Sequence, residues 1–222
     1  MKPLTNAEEN YLKAIYHLSE GGKKNVSTNE IAHEMKTKPA SVSDMLKKLS
    51  EKGTIGYKKY YGVDITPSGI RMALHIIRRH RLWEVFLVDK LGFSWDEVHE
   101  VAEELEHVKS PLLVSRLDDY LGFPKFDPHG DPIPDEFGDI KTRPKAALSE
   151  VPLHHPGKIV AVNDSSAAFL KYLDKVGVYI GAKIEALEKV EFDGSLEVMV
   201  DNHKKLFLSR EVAINIMVLL HP

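Results

Sequence analysis

STNEIAHEMKTKPASVSDMLKKL, residues 27–49, holds two helix starts twelve positions apart. Ser27 or Thr28 caps the first, whose apolar stripe is Ile31, Ala32 and Met35, enough for about two to three turns. The second starts at Lys38-Pro39, with proline suited to the first turn because that turn has no use for its missing N–H. Val42, Leu46 and Leu49 follow at i, i+4, i+7, which leaves Ser41, Asp44, Lys47 and Lys48 toward solvent or a partner until Gly53 ends the helix. Upstream, residues 6–20 read helical on Tyr11, Leu12, Ile15, Tyr16 and Leu18, stopped by Gly21-Gly22. Downstream, TIGYKKYYGVDIT, residues 54–66, is aromatic and β-branched with Gly62 at a turn, and predicts a β-hairpin.

Helix, helix, short connector, helix and a lysine-bearing hairpin are the order of a winged helix-turn-helix, whose third helix enters the DNA major groove while the wing touches phosphates. Charge agrees: between Lys23 and Tyr60 there are nine lysines against four acids, although the whole chain of 222 residues has a net charge of -3. Candidate DNA contacts are Lys38 and Pro39 at the start of that helix, Ser41, Ser43 and Asp44 at base edges, and Lys47, Lys48, Lys58 and Lys59 on phosphates. Asp44 can only accept, which suits a cytosine amino group. The plainer alternative is a three-helix protein-interaction module with a solvated lysine face.

Composition narrows the chemistry. Cysteine is absent, which excludes disulfides, thiolate catalysis and cysteine metal sites, so any bound metal has oxygen and nitrogen ligands. No run approaches eighteen apolar residues, and MKPLTNAEEN lacks the apolar core of a secretory signal, so the expectation is a cytoplasmic chain with no membrane partner.

Past the hairpin, Thr66-Pro67 opens a long helix to about Lys90 that is apolar nearly all round in its second half, as a helix buried centrally or between subunits would be. Ser94 is expected to cap the next helix, which is acidic: Ser94–His107 holds six acids and, histidines aside, no base. Pro111 starts another helix ending near Leu121. Seven of the twelve prolines lie between Gly122 and Pro156, a loop and linker region. Beyond it, KIVAV, a helix after Asp164, VYIGAKI and EFDGSLEVMV with its AspGly turn indicate a small β-rich domain.

His99, Glu103, Glu106 and His107 share one helical face within an arc of roughly 100°. A solvated acidic face, acids favouring the helix dipole, and a cation site all fit that pattern. The acids at the C-terminal end sit where the dipole disfavours them, a cost a cation would remove. His80 and Glu84 make an i, i+4 pair, either an ion pair or two ligands. Asp127 and His129 flank the stiff Pro128, and Asp164 stands where it either caps a helix or binds an ion.

ENYLKAIY (9–16), RRHRLWEVF (78–86), VHEVAEELEH (98–107), LGFPKFDPHG (121–130) and YLDKVGVYIG (172–181), in this order, resemble the diphtheria toxin repressor family of metal-dependent transcriptional regulators, and within it the manganese-responsive three-domain branch. The resemblance spans essentially the whole chain. It implies a mainly α protein with a small β part: a winged helix-turn-helix domain at 1–70, a helical dimerisation and metal-binding domain at 71–140, a linker at 141–155 and an SH3-like, FeoA-like β-barrel domain at 156–222. It also implies two metal sites for Mn²⁺ or Fe²⁺ as corepressor, one from His80, Glu84, Asp127, His129 and Asp164, the other from Glu103, Glu106 and His107, with His99 matching a further metal-site histidine. The ligand that the first helix contributes to the second site is usually aspartate or methionine; this chain has Asn10, whose amide oxygen adds no charge. Function by resemblance is a homodimeric repressor of metal-uptake genes on a pseudo-palindromic operator. The rivals are a winged-helix regulator blind to metal, and an enzyme. For the enzyme, Glu104/His107 and Glu30/His33 satisfy the spacing of di-iron carboxylate proteins, but no four-helix carboxylate set accompanies them.

Overall fold

In a computed structural model of the chain, residues 3–58, 61–142 and 144–220 are described. They group into two compact units, one formed by the chain up to His80 with 103–114 and 134–140, the other by 81–102, 115–133 and everything from Lys141 onward.

In the first unit, α1 (Asn6–Leu18), α2 (Thr28–Glu34) and α3 (Pro39–Glu51) are followed by the hairpin β1 (Ile55–Lys58) and β2 (Gly62–Ile65). The helix starts follow local chemistry. Thr5 and Ser27 each close a capping box with a glutamate three residues on, and Pro39 occupies the first turn of α3. Leu12, Ile15, Ile31, Val42, Leu46, Leu49 and Val63 are fully buried and form one core. Val26 bridges Val63 through two backbone hydrogen bonds of 3.0 and 2.8 Å, which adds a third extended segment to the wing. Two more contacts fix the unit. Lys52 at the end of α3 holds Glu8 of α1 at 2.7 Å, and Thr66 bonds the carbonyls of Gly53 and Thr54 where α4 (Pro67–Leu91) begins. Gly69 is obligatory there, because a Cβ would lie 2.0 Å from the Thr54 carbonyl oxygen.

The second unit contains most of a six-stranded antiparallel sheet's surroundings and the sheet itself, ordered β3-β8-β4-β5-β6-β7. Its strands are β3 (Ala146–Ala147), β4 (Gly157–Val162), β5 (Lys183–Lys189), β6 (Leu196–Val200), β7 (Lys204–Leu208) and β8 (Ile216–Leu220). Two helices, α7 (Ala167–Val176) and α8 (Arg210–Asn215), pack with the sheet around Leu148, Ile159, Leu170, Leu173, Val198 and Ile216.

Four expectations are corrected. The acidic helix α5 (Val98–Leu105) starts four residues after Ser94, whose hydroxyl instead bonds Glu97 at 2.6 Å, and it ends before Glu106. Its buried stripe is Val98, Ala102 and then Glu106 in the following turn, while Val108 is 38% exposed. The segment 141–155 is more than a linker: Ala146–Ala147 pairs with β8, and Leu148 and Val151 are core residues. A two-residue strand of alanines carries no periodicity by which to find it. Tyr179-Ile180-Gly181 turns instead of forming a strand, and extended backbone resumes at Lys183. The helix α6 (Pro111–Tyr120) lies where proline placed it.

Candidate metal centres and DNA-reading face

Glu106 anchors a cluster in the first unit. Its side chain is 0% exposed, and Lys13 of α1 donates to both carboxylate oxygens at 2.8 and 2.7 Å. His80 of α4 places Nδ1 2.7 Å from Oε2. Arg79 donates to the Glu106 carbonyl oxygen at 2.5 Å and lies 3.3 Å from Glu9, which also meets His107 Nδ1 at 2.8 Å and Lys109 at 3.2 Å. Lys109 bonds the Leu4 carbonyl as well. Glu103 is half exposed and 3.5 Å from Lys13. Burial pushes the Glu106 carboxyl up, but the hydrogen bond from His80 and the Lys13 charge outweigh it and hold its pKa below the ordinary value. Asn10 is one turn before Lys13 on α1, and its Oδ1 is buried with no hydrogen bond among the described residues. The donors are oxygen and imidazole, as a hard divalent ion requires, and the orphaned amide oxygen is an acceptor that a cation would satisfy.

The second unit holds another group. Ligand-type atoms of Glu84, Asp127 and His129 all lie within 4.8 Å of one another, and all three residues are buried. Glu84 comes from α4, with His129 Nδ1 3.7 Å and His99 Nδ1 3.3 Å from its Oε1. Asp127 Oδ1 accepts from the backbone N–H groups of His129 and Asp131, both at 2.9 Å, and Oδ2 lies 3.3 Å from Arg81. His129 Nε2 donates to the Trp95 carbonyl at 2.8 Å, and its ring stacks on that indole, so Nδ1 is the nitrogen turned to the carboxylates. Burial and the neighbouring Glu84 push the Asp127 carboxyl up to about 7. Burial works against the His129 imidazolium, yet the hydrogen bond and charge of Glu84 prevail and raise it to about 9.

Backbone chemistry seats this loop. Val162 of β4 donates to the His129 carbonyl at 3.0 Å, and Gly130, with φ +85, approaches so near that a Cβ would meet the Val160 oxygen at 1.9 Å. The donors are again oxygen and imidazole, buried and convergent, so they fit a manganese or ferrous ion.

The predicted residues therefore divide. Glu84, Asp127, His129 and His99 come together in the second unit. Glu103, Glu106, His107 and Asn10 are in the first; His80, one turn before Glu84 on α4, offers a ligand-type atom within 4.8 Å of one on Glu84, as expected, and its Nδ1 is also hydrogen-bonded to Glu106. The single helical face expected for 99–107 is thus split, because α5 ends before Glu106. Asp164 accepts from the Ser166 N–H at 2.8 Å ahead of α7, the turn-forming alternative, and belongs to neither group among the described residues. Reading the acids alone missed Lys13, Arg79 and Lys109 around Glu9 and Glu106, and Arg81 on Asp127. A signal for Lys13 was present, since it shares a face of α1 with Asn10 at i, i+3.

On α3, Lys38, Pro39, Ser41, Asp44, Lys47 and Lys48 are exposed, as is Lys58 on β1. Lys59 lies outside the described residues. The Ser43 hydroxyl bonds the Pro39 carbonyl at 3.1 Å inside the helix, which leaves its lone pairs to accept from a base. Asp44 holds Lys47 at 3.1 Å, an exposed pair that DNA phosphate can open.

Three family descriptions match the chain in order: "Iron dependent repressor, N-terminal DNA binding domain" at residues 3–63, "Iron dependent repressor, metal binding and dimerisation domain" at 66–135, and "FeoA domain" at 146–220. A solved manganese-dependent transcriptional repressor in complex with manganese is 36% identical, with a TM-score of 0.87 over 96% of this chain and 100% of that one. The chain belongs to the iron-dependent repressor family. Other relatives agree along the full length. The manganese regulator SloR is 34% identical with a TM-score of 0.77 over 100% of both chains. The iron-dependent repressor IdeR of Mycobacterium leprae (strain TN) is 29% identical over 227 residues, 96% of each chain. As in this repressor family, the helical N-terminal part carries the helix-turn-helix and the C-terminal sheet is the SH3-like FeoA domain. No helix among the described residues is long and apolar enough to cross a membrane.

Proposed function

We propose that this chain is a metal-dependent DNA-binding repressor, with Mn²⁺ or Fe²⁺ as corepressor, that works as a cytoplasmic homodimer on a pseudo-palindromic operator of metal-uptake genes. The observation that carries this reading is the buried convergence of Glu84, Asp127 and His129 on a chain that also folds a winged helix-turn-helix. A buried carboxylate pair beside an imidazole is costly without a cation and is retained where a cation is bound. It is the reading of a binding protein, not an enzyme.

The proposed ligands are His80, Glu84, Asp127 and His129, with His99, in one centre and Glu106, Glu103, His107 and Asn10 in the other; Asp164 is assigned to holding the turn before α7. The domain boundaries proposed are 1–70 and 71–140, with the sheet domain of 156–222 extended to take in Ala146–Val151. A bound ion supplies positive charge that removes carboxylate repulsion in the folded arrangement. His129 gives up its Nδ1 proton, Trp95 keeps the ring in place through Nε2, and the loop 127–131 stays seated on β4. Ligation that favours the ordered arrangement over looser ones shifts the population toward the dimer whose α3 helices meet half-sites about 34 Å apart. Exposed Leu91, Tyr120 and Phe123 in the second unit offer apolar surface for such a dimer.

The deciding experiment is operator binding by chelator-stripped protein with and without Mn²⁺. Binding that needs the ion and is lost in Glu84→Ala supports the reading; equal binding without the ion removes it. On the DNA side, Lys47→Ala should lower affinity for all sequences alike and reduce the salt slope by about one.

A further inference from the structure

Lys13 sits where a cation belongs. Both oxygens of Glu106 are taken by its ammonium at 2.8 and 2.7 Å, Glu103 is 3.5 Å away, and Glu106 has no exposed surface. The rest of the cluster is balanced already, with Arg79 and Lys109 on Glu9. The second unit's centre is arranged otherwise: Arg81 lies 3.3 Å from Asp127 Oδ2 and reaches Asp131 at 3.3 Å, while Glu84 meets the imidazoles of His99 at 3.3 Å and His129 at 3.7 Å.

We propose that Lys13 is the built-in counter-cation of the Glu106 centre and sets the ion concentration at which that centre fills. The inference rests on the metal-dependent reading above. Two arguments make lysine and ion mutually exclusive. The first is geometric, since each needs the same two carboxylate oxygens. The second is charge: the Lys13 ammonium already compensates Glu106, whose Oε2 also meets His80 Nδ1, so a divalent ion added without release of lysine would crowd like charges around a wholly buried carboxylate. Lys13 must therefore withdraw from Glu106. Asn10, a turn earlier on the same helix, then offers its unsatisfied amide oxygen in place of the ammonium. Because a neutral amide adds no attraction of its own, displacement of Lys13 is the dominant cost of filling this centre, and it fills after the Glu84–Asp127–His129 centre.

The test is Mn²⁺ titration of the chelator-stripped full chain, with the free ion followed by electron paramagnetic resonance. Wild type should show a tight and a weak class, and Lys13→Met should strengthen the weak class by roughly 10- to 100-fold, the scale of one charge-assisted hydrogen bond, while the tight class stays put. A weak class unchanged or weakened in Lys13→Met overturns the role of Lys13 and leaves the metal-dependent reading intact; absence of both classes in wild type overturns that reading itself. Since Lys13→Met strands a buried carboxylate and can unfold without ion, a second measurement uses wild type. Reductive methylation read by mass spectrometry should find Lys13 protected in chelator and several-fold more reactive as the weak class fills, with Lys52, paired to Glu8, as the internal reference. Lys13 reactivity that does not move across the titration overturns the proposal.

Discussion

The Glu106 and Asp127 centres solve one electrostatic problem in two ways. Each buries carboxylates beside imidazoles. Around Glu106 the counter-charge comes from bases far away in sequence, Lys13 with Arg79 and Lys109 nearby, and the carboxyl stays ionised with its pKa below the ordinary value. Around Asp127 one arginine is not enough. That centre holds protons instead, on Asp127 with its pKa pushed up to about 7 and on His129 raised to about 9. A lysine-balanced centre is stable without metal and resists loading. A proton-balanced centre exchanges protons for metal and therefore responds to pH.

The largest effect that would sharpen this contrast is on stability without metal. Glu106→Ala strands the Lys13 ammonium and should cost about 3–5 kcal/mol in chemical denaturation with chelator present, as expected when one partner of a buried ion pair is removed. Glu84→Ala in the same assay should cost less, because the lost partner of His129 is partly offset by relief of repulsion with Asp127; an equal loss in both variants would break the comparison.

Metal affinity follows. His129→Ala should weaken the tight Mn²⁺ class by about 100-fold or more by calorimetry, since it removes a ligand outright. The weak class should be unaffected.

The third effect is on pH. Asp127 and His129 both bind protons more tightly folded than unfolded, so the metal-free protein should lose stability as pH rises from about 4 through 7 for the carboxyl and from about 6.5 through 9 for the imidazole. Manganese binding should tighten over the same rise, with proton release seen in buffers of different ionisation enthalpy. Flat proton release from pH 6 to 9 would sink the proton-balanced account.

The smallest is Asn10→Asp, which adds a carboxylate one turn from Lys13 on the same face of α1. It should strengthen the weak Mn²⁺ class by only a few-fold, because the new charge also draws Lys13. A gain as large as that of Lys13→Met would shift the weight from lysine to the amide.

Several elements could be read in advance because their signals are local. Ser27, Pro39 and Pro67 mark helix starts through hydrogen-bonding needs of the first turn, and the structure puts α2, α3 and α4 there. The hairpin followed from β-branched and aromatic residues around Gly62. The sheet was less legible. β3 is two alanines; β7 follows β6 across Asp201-Asn202, both at positive φ, and Ser209 caps α8, local signals that mark the breaks but not which strands pair, which the shared core decides. At the sites, the structure brings Glu84, Asp127 and His129 together and keeps His80 by Glu84 on α4, while His80 Nδ1 also bonds Glu106 and Asp164 holds its own turn.

Taken alone, the amino-acid order determined which residue types are available: no cysteine, hence oxygen and nitrogen ligands; a lysine-rich helix-turn-helix; acids concentrated in 94–107 with no lysine or arginine among them. What neutralises those acids was decided only by folding. Lys13 is 93 positions from Glu106 in the chain and 2.7 Å from it in space. Periodicity reports which face of an element is apolar, but a buried charge is satisfied by whatever the tertiary fold brings within reach, and that partner leaves no mark on the local pattern.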